Sequence, residues 1–363
     1  MMRVIELGHV IAAPFAGLIL ANLGFEVIKV EPLNGDPSRR DDVLKDSMFL
    51  FNNRGKKSVA LNLKSEKGRE IFLKLIKSSN VLIENYSEDT MEKLGLTKEV
   101  LMRENPSLVY CSIKGFPKGK YERKPAFGTI IEAMSGIMKA NGNARLPASI
   151  TDMGTSYSCV ITVLWALLMN KPGYYRIDIL QNEVTWLGYY IIAYQTLGKL
   201  FYGGRDELPF WAPYELFKTK DEKLIYIAIN NNEKWSSLCK VLGLENLIND
   251  SRFESNEKRV NNRKVLHELI QDKIKGYTLD ELLDDLSRFD IPASPLLDIP
   301  DLINENLVEW EEVDGLKIPK LPLPGSLKSK APKLGEHTIS ILKELGYNEN
   351  DIKEMIKDRV ILV

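Results

Sequence analysis

The stretch VIELGHVIAAPFAGLILANLGFEVIKVE, residues 4 to 31, decides the fold class. Val4 to Leu7 reads as a short strand, Pro14 to Leu23 as a helix, and Glu26 to Glu31 as the next strand. Pro14 is preset for a first helical turn, and Gly24 is placed to stop the helix. Strand, helix and strand in some thirty residues form one βαβ unit, which demands parallel pairing. A second unit follows: Ser58 to Leu63 as strand, Ser65 as N-cap, Glu66 to Ser78 as a helix with Ile71, Phe72, Leu75 and Ile76 on one face, then Val81 to Ile83 as strand. Further strands are expected at Leu108 to Ile113 and Arg176 to Leu180. The apolar run from Ser156 to Asn170 predicts a helix buried on most sides. The first two-thirds of the chain is therefore expected to be α/β with a parallel sheet.

The character changes near residue 196. An aromatic stretch (Tyr189, Tyr190, Tyr194, Phe201, Tyr202, Phe210, Trp211) gives way to a charged amphipathic part, with a strand at Leu224 to Ile229. Prolines from Pro292 to Pro332 then punctuate an extended segment that reads as an ordered crossing strap. Two helices, Glu336 to Leu345 and Glu349 to Lys357, close the chain. The division expected is 1–196 for the large domain, 197–311 for a smaller one, and 312–363 for the strap and helices.

At 363 residues the chain is long enough for two domains, and with 49 basic against 50 acidic residues its net charge of −1 gives no global case for nucleic acid. The N-terminal apolar stretch is interrupted by Glu6, His9, Pro14, Asn22 and Glu26, so it reads as neither signal peptide nor membrane span. Cys111, Cys159 and Cys239 are scattered in apolar runs, which points to buried free thiols and a cytoplasmic protein. With only His9, His267 and His337 and no zinc-ligand spacing, no metal site is expected.

The turn Gly8 to Pro14 holds one glycine where a dinucleotide fingerprint needs three, and no P-loop or nucleophile elbow is present. Basic residues cluster instead: Arg39, Arg40, Arg54, Lys56 and Lys57, with Lys93 and Lys114 at later element ends. They are either a solvated surface or the point charges of a polyphosphate site at the strand ends. Asp152, in Ile150-Thr151-Asp152-Met153-Gly154-Thr155-Ser156, is the first candidate carboxylate. A helix N-terminus would lower its pKa and Gly154 would leave room for a substrate, so it could attack an activated acyl carbon; alternatively it only caps the helix.

Six blocks, in order and at matching spacings, identify a resemblance that runs end to end. They are the opening stretch with GDPSRR (35–40), the block from Asn53 to Tyr86, KPAFGTIIEAMSG (124–136), TDMGTS (151–156), IPASPLLDI (291–299) and APKLGEHTISILKELGY (331–347). The chain resembles the class III coenzyme A transferases, which include formyl-CoA transferase, carnitine CoA-transferase and the 2-methylacyl-CoA racemases. The resemblance implies a Rossmann-like large domain built from both chain ends, an inserted smaller α+β domain, and an interlocked homodimer. It implies CoA transfer from an acyl-CoA to a carboxylic acid with no covalently bound cofactor, CoA and acyl-CoA being substrates, and no nucleic-acid or membrane partner. Asp152 would attack the thioester to give a mixed anhydride, then an aspartyl-CoA thioester. The CoA-contacting positions implied are Val10, Arg39, Leu61, Leu63, Asn85, Tyr86, Lys93 and Lys114, with Leu61 and Leu63 beside the adenine and Tyr86 as a stacking surface.

Departures from the family pattern carry information. The racemases pair their aspartate with a histidine, and Phe127 stands there, so the alternative racemase reading lacks a base. Gly128 replaces the usual aspartate. Ile11 stands where formyl-CoA transferase has a glutamine, and Gly203-Gly204 is the nearest remnant of its glycine-rich loop. A non-catalytic CoA-binding protein is the third reading.

Overall fold

A computed structural model describes residues 1–39, 43–200, 202 and 208–363. Arg40, Phe201 and the Gly203-Gly204 pair lie outside the described residues. The chain divides into two compact units: residues 1–137, 146–187 and 308–363 make the first, and residues 138–145 and 188–307 the second. The Gly188–Leu197 helix, which the sequence assigns to the large domain, groups with the second unit.

The first unit is an α/β layer structure. Its strands are β1 (Arg3–Leu7), β2 (Glu26–Glu31), β3 (Lys57–Leu61), β4 (Val81–Glu84), β5 (Val109–Lys114) and β6 (Gly173–Asp178). The second unit holds β7 (Tyr214–Lys218), β8 (Leu224–Ala228) and β9 (Ala293–Pro295) as an antiparallel sheet. The strap of the first unit carries the hairpin of β10 (Trp310–Val313) and β11 (Leu316–Pro319), and β12 (Ile361–Leu362) ends the chain. The large sheet runs in the order β12-β3-β2-β1-β4-β5-β6, parallel except for β12, which pairs antiparallel on the β3 edge. Strand order reverses between β1 and β4, and in open α/β sheets ligands bind in the crevice at the carboxyl ends of the strands flanking such a switch.

Side chains alternate between the two faces of the sheet, as the strand period requires. Val4, Val27, Val81, Ile83, Val109, Cys111 and Ile113 pack with the helices Ala12–Asn22 and Ile150–Leu168. Ile5, Leu7, Ile28, Val30, Leu61 and Leu82 pack on the opposite face with helices Glu66–Lys77, Thr338–Glu344 and Glu349–Lys357. The stop at Gly24 is as the sequence predicts, with φ at +90°, and Ser65 caps its helix by accepting from the Gly68 amide.

One helix departs from expectation. The apolar run lies in a helix that starts at Ile150 rather than near Ser156, and one side of it is not buried: Ile161, Leu164, Trp165 and Leu168 are exposed. Helix Gly188–Leu197 is almost wholly apolar and contains no buried residue. No described helix is long and apolar enough to cross a membrane.

Candidate active site

A cleft of about 650 Å³ opens at the switch point. Gly8 and His9 after β1, Asn34 to Pro37 after β2, Asn85 and Tyr86 after β4, and Lys114 at the end of β5 form its floor and walls, with Lys93, Arg123, Lys124 and Phe127 at its rim.

The turn after β1 is built by buried charges. Glu6 points to the helix face of the sheet, against Gly17, where any side chain would collide with its carboxylate. Two ammonium groups compensate it: Lys29 at 2.9 Å and Lys56 at 2.6 Å, all three side chains fully buried. Lys29 also bonds Asp36 at 2.9 Å and the Gly8 carbonyl at 2.9 Å. The Asn85 side chain accepts from the His9 amide and donates to the His9 carbonyl, and Asp36 receives the Val10 amide at 3.3 Å. These bonds hold Val10 at φ +64°, a costly conformation for a β-branched residue. Neighbouring charge sets the ionisation here. The Lys29 ammonium holds the Asp36 carboxyl well below its usual range, whereas desolvation brings Lys56 down to about 8. Burial lowers the pKa of His9, so its imidazole is neutral.

Most of the basic cluster serves structure. Arg39 forms a two-bond pair with Glu31 at 2.7 and 2.8 Å, donates to the Pro332 carbonyl, and stacks on Phe49. Arg54 is buried against Glu311 at 2.9 Å, Lys57 pairs with Glu26, and Lys114 sits on Glu84 at 2.7 Å. The cluster is therefore not a solvated surface: among the described residues Arg39, Arg54, Lys56, Lys57 and Lys114 each form an ion pair with a glutamate. Lys93 is exposed at the rim. Arg123 and Lys124 join it there; neither was singled out from sequence, although Lys124 opens the block that contains Phe127.

The remaining implied contacts divide. Asn85 and Tyr86 line the cleft, with Tyr86 5.4 Å from the His9 ring. Val10 packs toward the hydrophobic core beside its cleft-lining neighbours. Leu61 and Leu63 have their side chains in the core layer that contains Ile361, where the C-terminal strand pairs on the β3 edge.

Asp152 is the third residue of helix Ile150–Leu168. Ser149 occupies the cap position without a side-chain bond, so Asp152 does not cap the helix. Its carboxylate accepts no hydrogen bond from any described residue. The expectation of a lowered pKa is reversed: burial, followed by the charges of Glu132 and Glu183, pushes it up to about 6. The helix N-terminus is outweighed by desolvation and two like charges. Gly154 does not leave space for a substrate either, since the Trp186 indole fills the volume a Cβ would take.

Gly128 gains its meaning here. A Cβ at position 128 would lie 2.5 Å from Asp152 Oδ2, so the carboxylate occupies the space that glycine leaves. The adjacent Phe127 is 71% exposed and lines the cleft, which puts Asp152 next to the cleft's rim. Phenylalanine at 127 can transfer no proton. Cys111, Cys159 and Cys239 are buried free thiols.

Comparison with known proteins places this geometry. The model of CoA-transferase family III matches residues 2–338. The chain is 30% identical to acetyl-CoA:oxalate CoA-transferase of Acetobacter aceti, covering 96% of each protein. It is 31% identical to the succinyl-CoA–L-malate CoA-transferase beta subunit of Chloroflexus aurantiacus, covering 99% of this chain and 97% of that one. A CAIB/BAIF family protein from Brucella suis has the same fold, with a TM-score of 0.84, 30% identity, and coverage of 95% of this chain and 98% of that one. A parallel sheet with a cleft at its switch point, and a match to the family model over nearly the whole chain, make this protein a CoA-transferase belonging to family III.

Proposed function

We propose that the protein moves CoA from an acyl-CoA to a carboxylic acid with Asp152 as the covalent carrier. The Asp152 oxygen attacks the thioester carbonyl, the C–S bond breaks, and CoA leaves as thiolate, giving a mixed anhydride. The thiolate then attacks the aspartyl carbonyl and releases the donor's carboxylate. In the resulting aspartyl-CoA thioester, the acceptor carboxylate attacks the aspartyl carbonyl; CoA thiolate leaves and captures the acceptor's acyl carbon, freeing Asp152. No water enters and no oxidant is needed.

The observation that carries this reading is a carboxylate with no hydrogen-bond donor, raised in basicity, beside the rim of the cleft. A carboxylate partly withdrawn from water is a better nucleophile than a fully hydrated one, and at pH 7 a group titrating near 6 is mostly ionised. We assign the cleft to CoA, with Tyr86 as its aromatic surface and the rim lysines Lys93 and Lys124 as phosphate partners. Arg39 and Lys114 act mainly by fixing the Glu31 and Glu84 carboxylates at the cleft wall.

A second copy of the chain is assigned to the exposed apolar face of helix Ile150–Leu168, where Ile161, Leu164, Trp165 and Leu168 are uncovered. An exposed apolar helix face of this kind is characteristic of obligate interfaces, and the interlocked homodimer of the resemblance would cover it.

The test is CoA transfer followed by mass spectrometry of the acyl-CoA pool, with acetyl-CoA and succinyl-CoA as donors and oxalate, glutarate and malate as acceptors. Transfer by the wild type, abolished in Asp152→Ala with CoA binding retained, is expected. Undiminished transfer by Asp152→Ala would overturn the assignment.

A further inference from the structure

Three helices meet around Asp152. On helix Gly128–Ser135, Gly128 and Glu132 are four residues apart and so share a face, and Gly128 on that face abuts the Asp152 carboxylate. Glu132 is 1% exposed; it accepts from the Leu146 amide at 3.0 Å and lies 3.5 Å from the Thr151 hydroxyl. On helix Ile179–Trp186, Glu183 and Trp186 are three residues apart. Trp186 packs on Gly154 while Glu183, fully buried, accepts the Thr151 hydroxyl at 2.7 Å. Thr151, the residue before Asp152, is thus held between two carboxylates. Among the described residues no lysine, arginine or histidine forms an ion pair with Glu132, Glu183 or Asp152.

Uncompensated buried carboxylates are costly, and their retention in one layer calls for a use. We propose that Glu132 and Glu183 are positioning residues for Asp152, which fix the first turn of its helix through Thr151 and whose negative field makes its carboxylate a stronger nucleophile toward the thioester. This rests on Asp152 being the nucleophile. The two glutamates form no bond to substrate; they are unchanged while the Asp152 oxygen bonds the acyl carbon and the C–S bond breaks. Among the described residues the titratable groups whose charge acts on Asp152 are these two, and after burial both act in the same direction, raising its basicity.

The experiment is carboxyl ¹³C NMR titration of the full chain labelled at aspartate, with the Asp152 signal assigned by its absence in Asp152→Asn. The wild-type midpoint is expected at about 6. In Glu132→Gln or in Glu183→Gln it should fall by about half a pH unit or more, since one pKa unit corresponds to a tenfold change in proton affinity. A smaller change in both variants overturns the proposal, and each variant is an independent test should the other fail to fold. The readout needs no substrate. A shifted midpoint with no acyl adduct on Asp152 would count against the nucleophile alone, and an adduct with unshifted midpoints would count against the glutamates alone.

Discussion

Replacing Gly128 by alanine should separate activity from stability. The new Cβ would lie 2.5 Å from Asp152 Oδ2 and 3.1 Å from Cγ, whereas a relaxed contact needs roughly 3.5 Å. The carboxylate must therefore move by about 1 Å. Rotating a side chain off its well costs about 0.5–1.5 kcal/mol, and alanine at the first helical position recovers only part of the roughly 1 kcal/mol it gains over glycine in a helix interior, so the net loss of stability stays at about 1 kcal/mol or less. No positive φ at Gly128 adds strain. A 1 Å misplacement of a reacting group costs on the order of 100-fold in rate, or about 2.7 kcal/mol of barrier. The assay is steady-state CoA transfer beside urea unfolding of the same preparation. The expected result is kcat lowered about 100-fold with unfolding free energy within about 1 kcal/mol of wild type. Wild-type kcat, or a loss of activity matched by loss of folded protein, would refute the reasoning.

Other expectations follow from the same geometry. Asp152 binds its proton more tightly folded than unfolded, so its contribution favours folding at low pH and is lost as pH rises from about 4 to about 6. Asp152→Asn should therefore be more stable than wild type at pH 8, by up to about 3 kcal/mol, with the difference shrinking toward pH 4 in parallel urea titrations. Transfer should increase over that range and level off above pH 7. Glu6→Gln leaves Lys29 and Lys56 short of countercharge in the core, and thermal unfolding should report a loss of about 3–5 kcal/mol; an unchanged melting curve would show the network to be dispensable. Gly154→Ala drives a methyl into the Trp186 ring and should cost about 1–3 kcal/mol, with Trp186 fluorescence altered. Lys93→Ala and Lys124→Ala should weaken CoA binding by calorimetry without lowering stability, since both side chains sit at the cleft rim.

What sequence could reveal was local. The β1–helix–β2 unit was legible because its turn residues and its apolar pattern agree within thirty residues, and Gly24 takes the left-handed conformation its position demands. Ser65 announced its helix in the same way. The start of the Asp152 helix was not legible, since Ser149 opens it from a left-handed conformation with no capping bond. Nor was β12, two residues whose identity as a strand depends on β3, some three hundred residues earlier. At the site, the cleft was foreseeable from the topology, since it lies at the strand ends where the sheet order reverses. The direction of the Asp152 ionisation was not legible: helix position argues down, while burial, and after it the charges of Glu132 and Glu183 twenty and thirty-one residues away, argue up. The ion pairs of the basic cluster were hidden for the same reason, because Glu84 and Glu311 reach Lys114 and Arg54 only through the fold. The bare Cα of Gly128 became intelligible only when the carboxylate it accommodates was seen.

Transfer through Asp152 requires that its carboxylate become covalently activated. Incubation with acyl-CoA donors that support turnover, quenching with hydroxylamine, and mass spectrometry of the peptide containing Thr151-Asp152-Met153 test it directly. A hydroxamate on Asp152, dependent on the acyl-CoA and absent in Asp152→Asn, is the result expected. Turnover with an unmodified Asp152 peptide would contradict it.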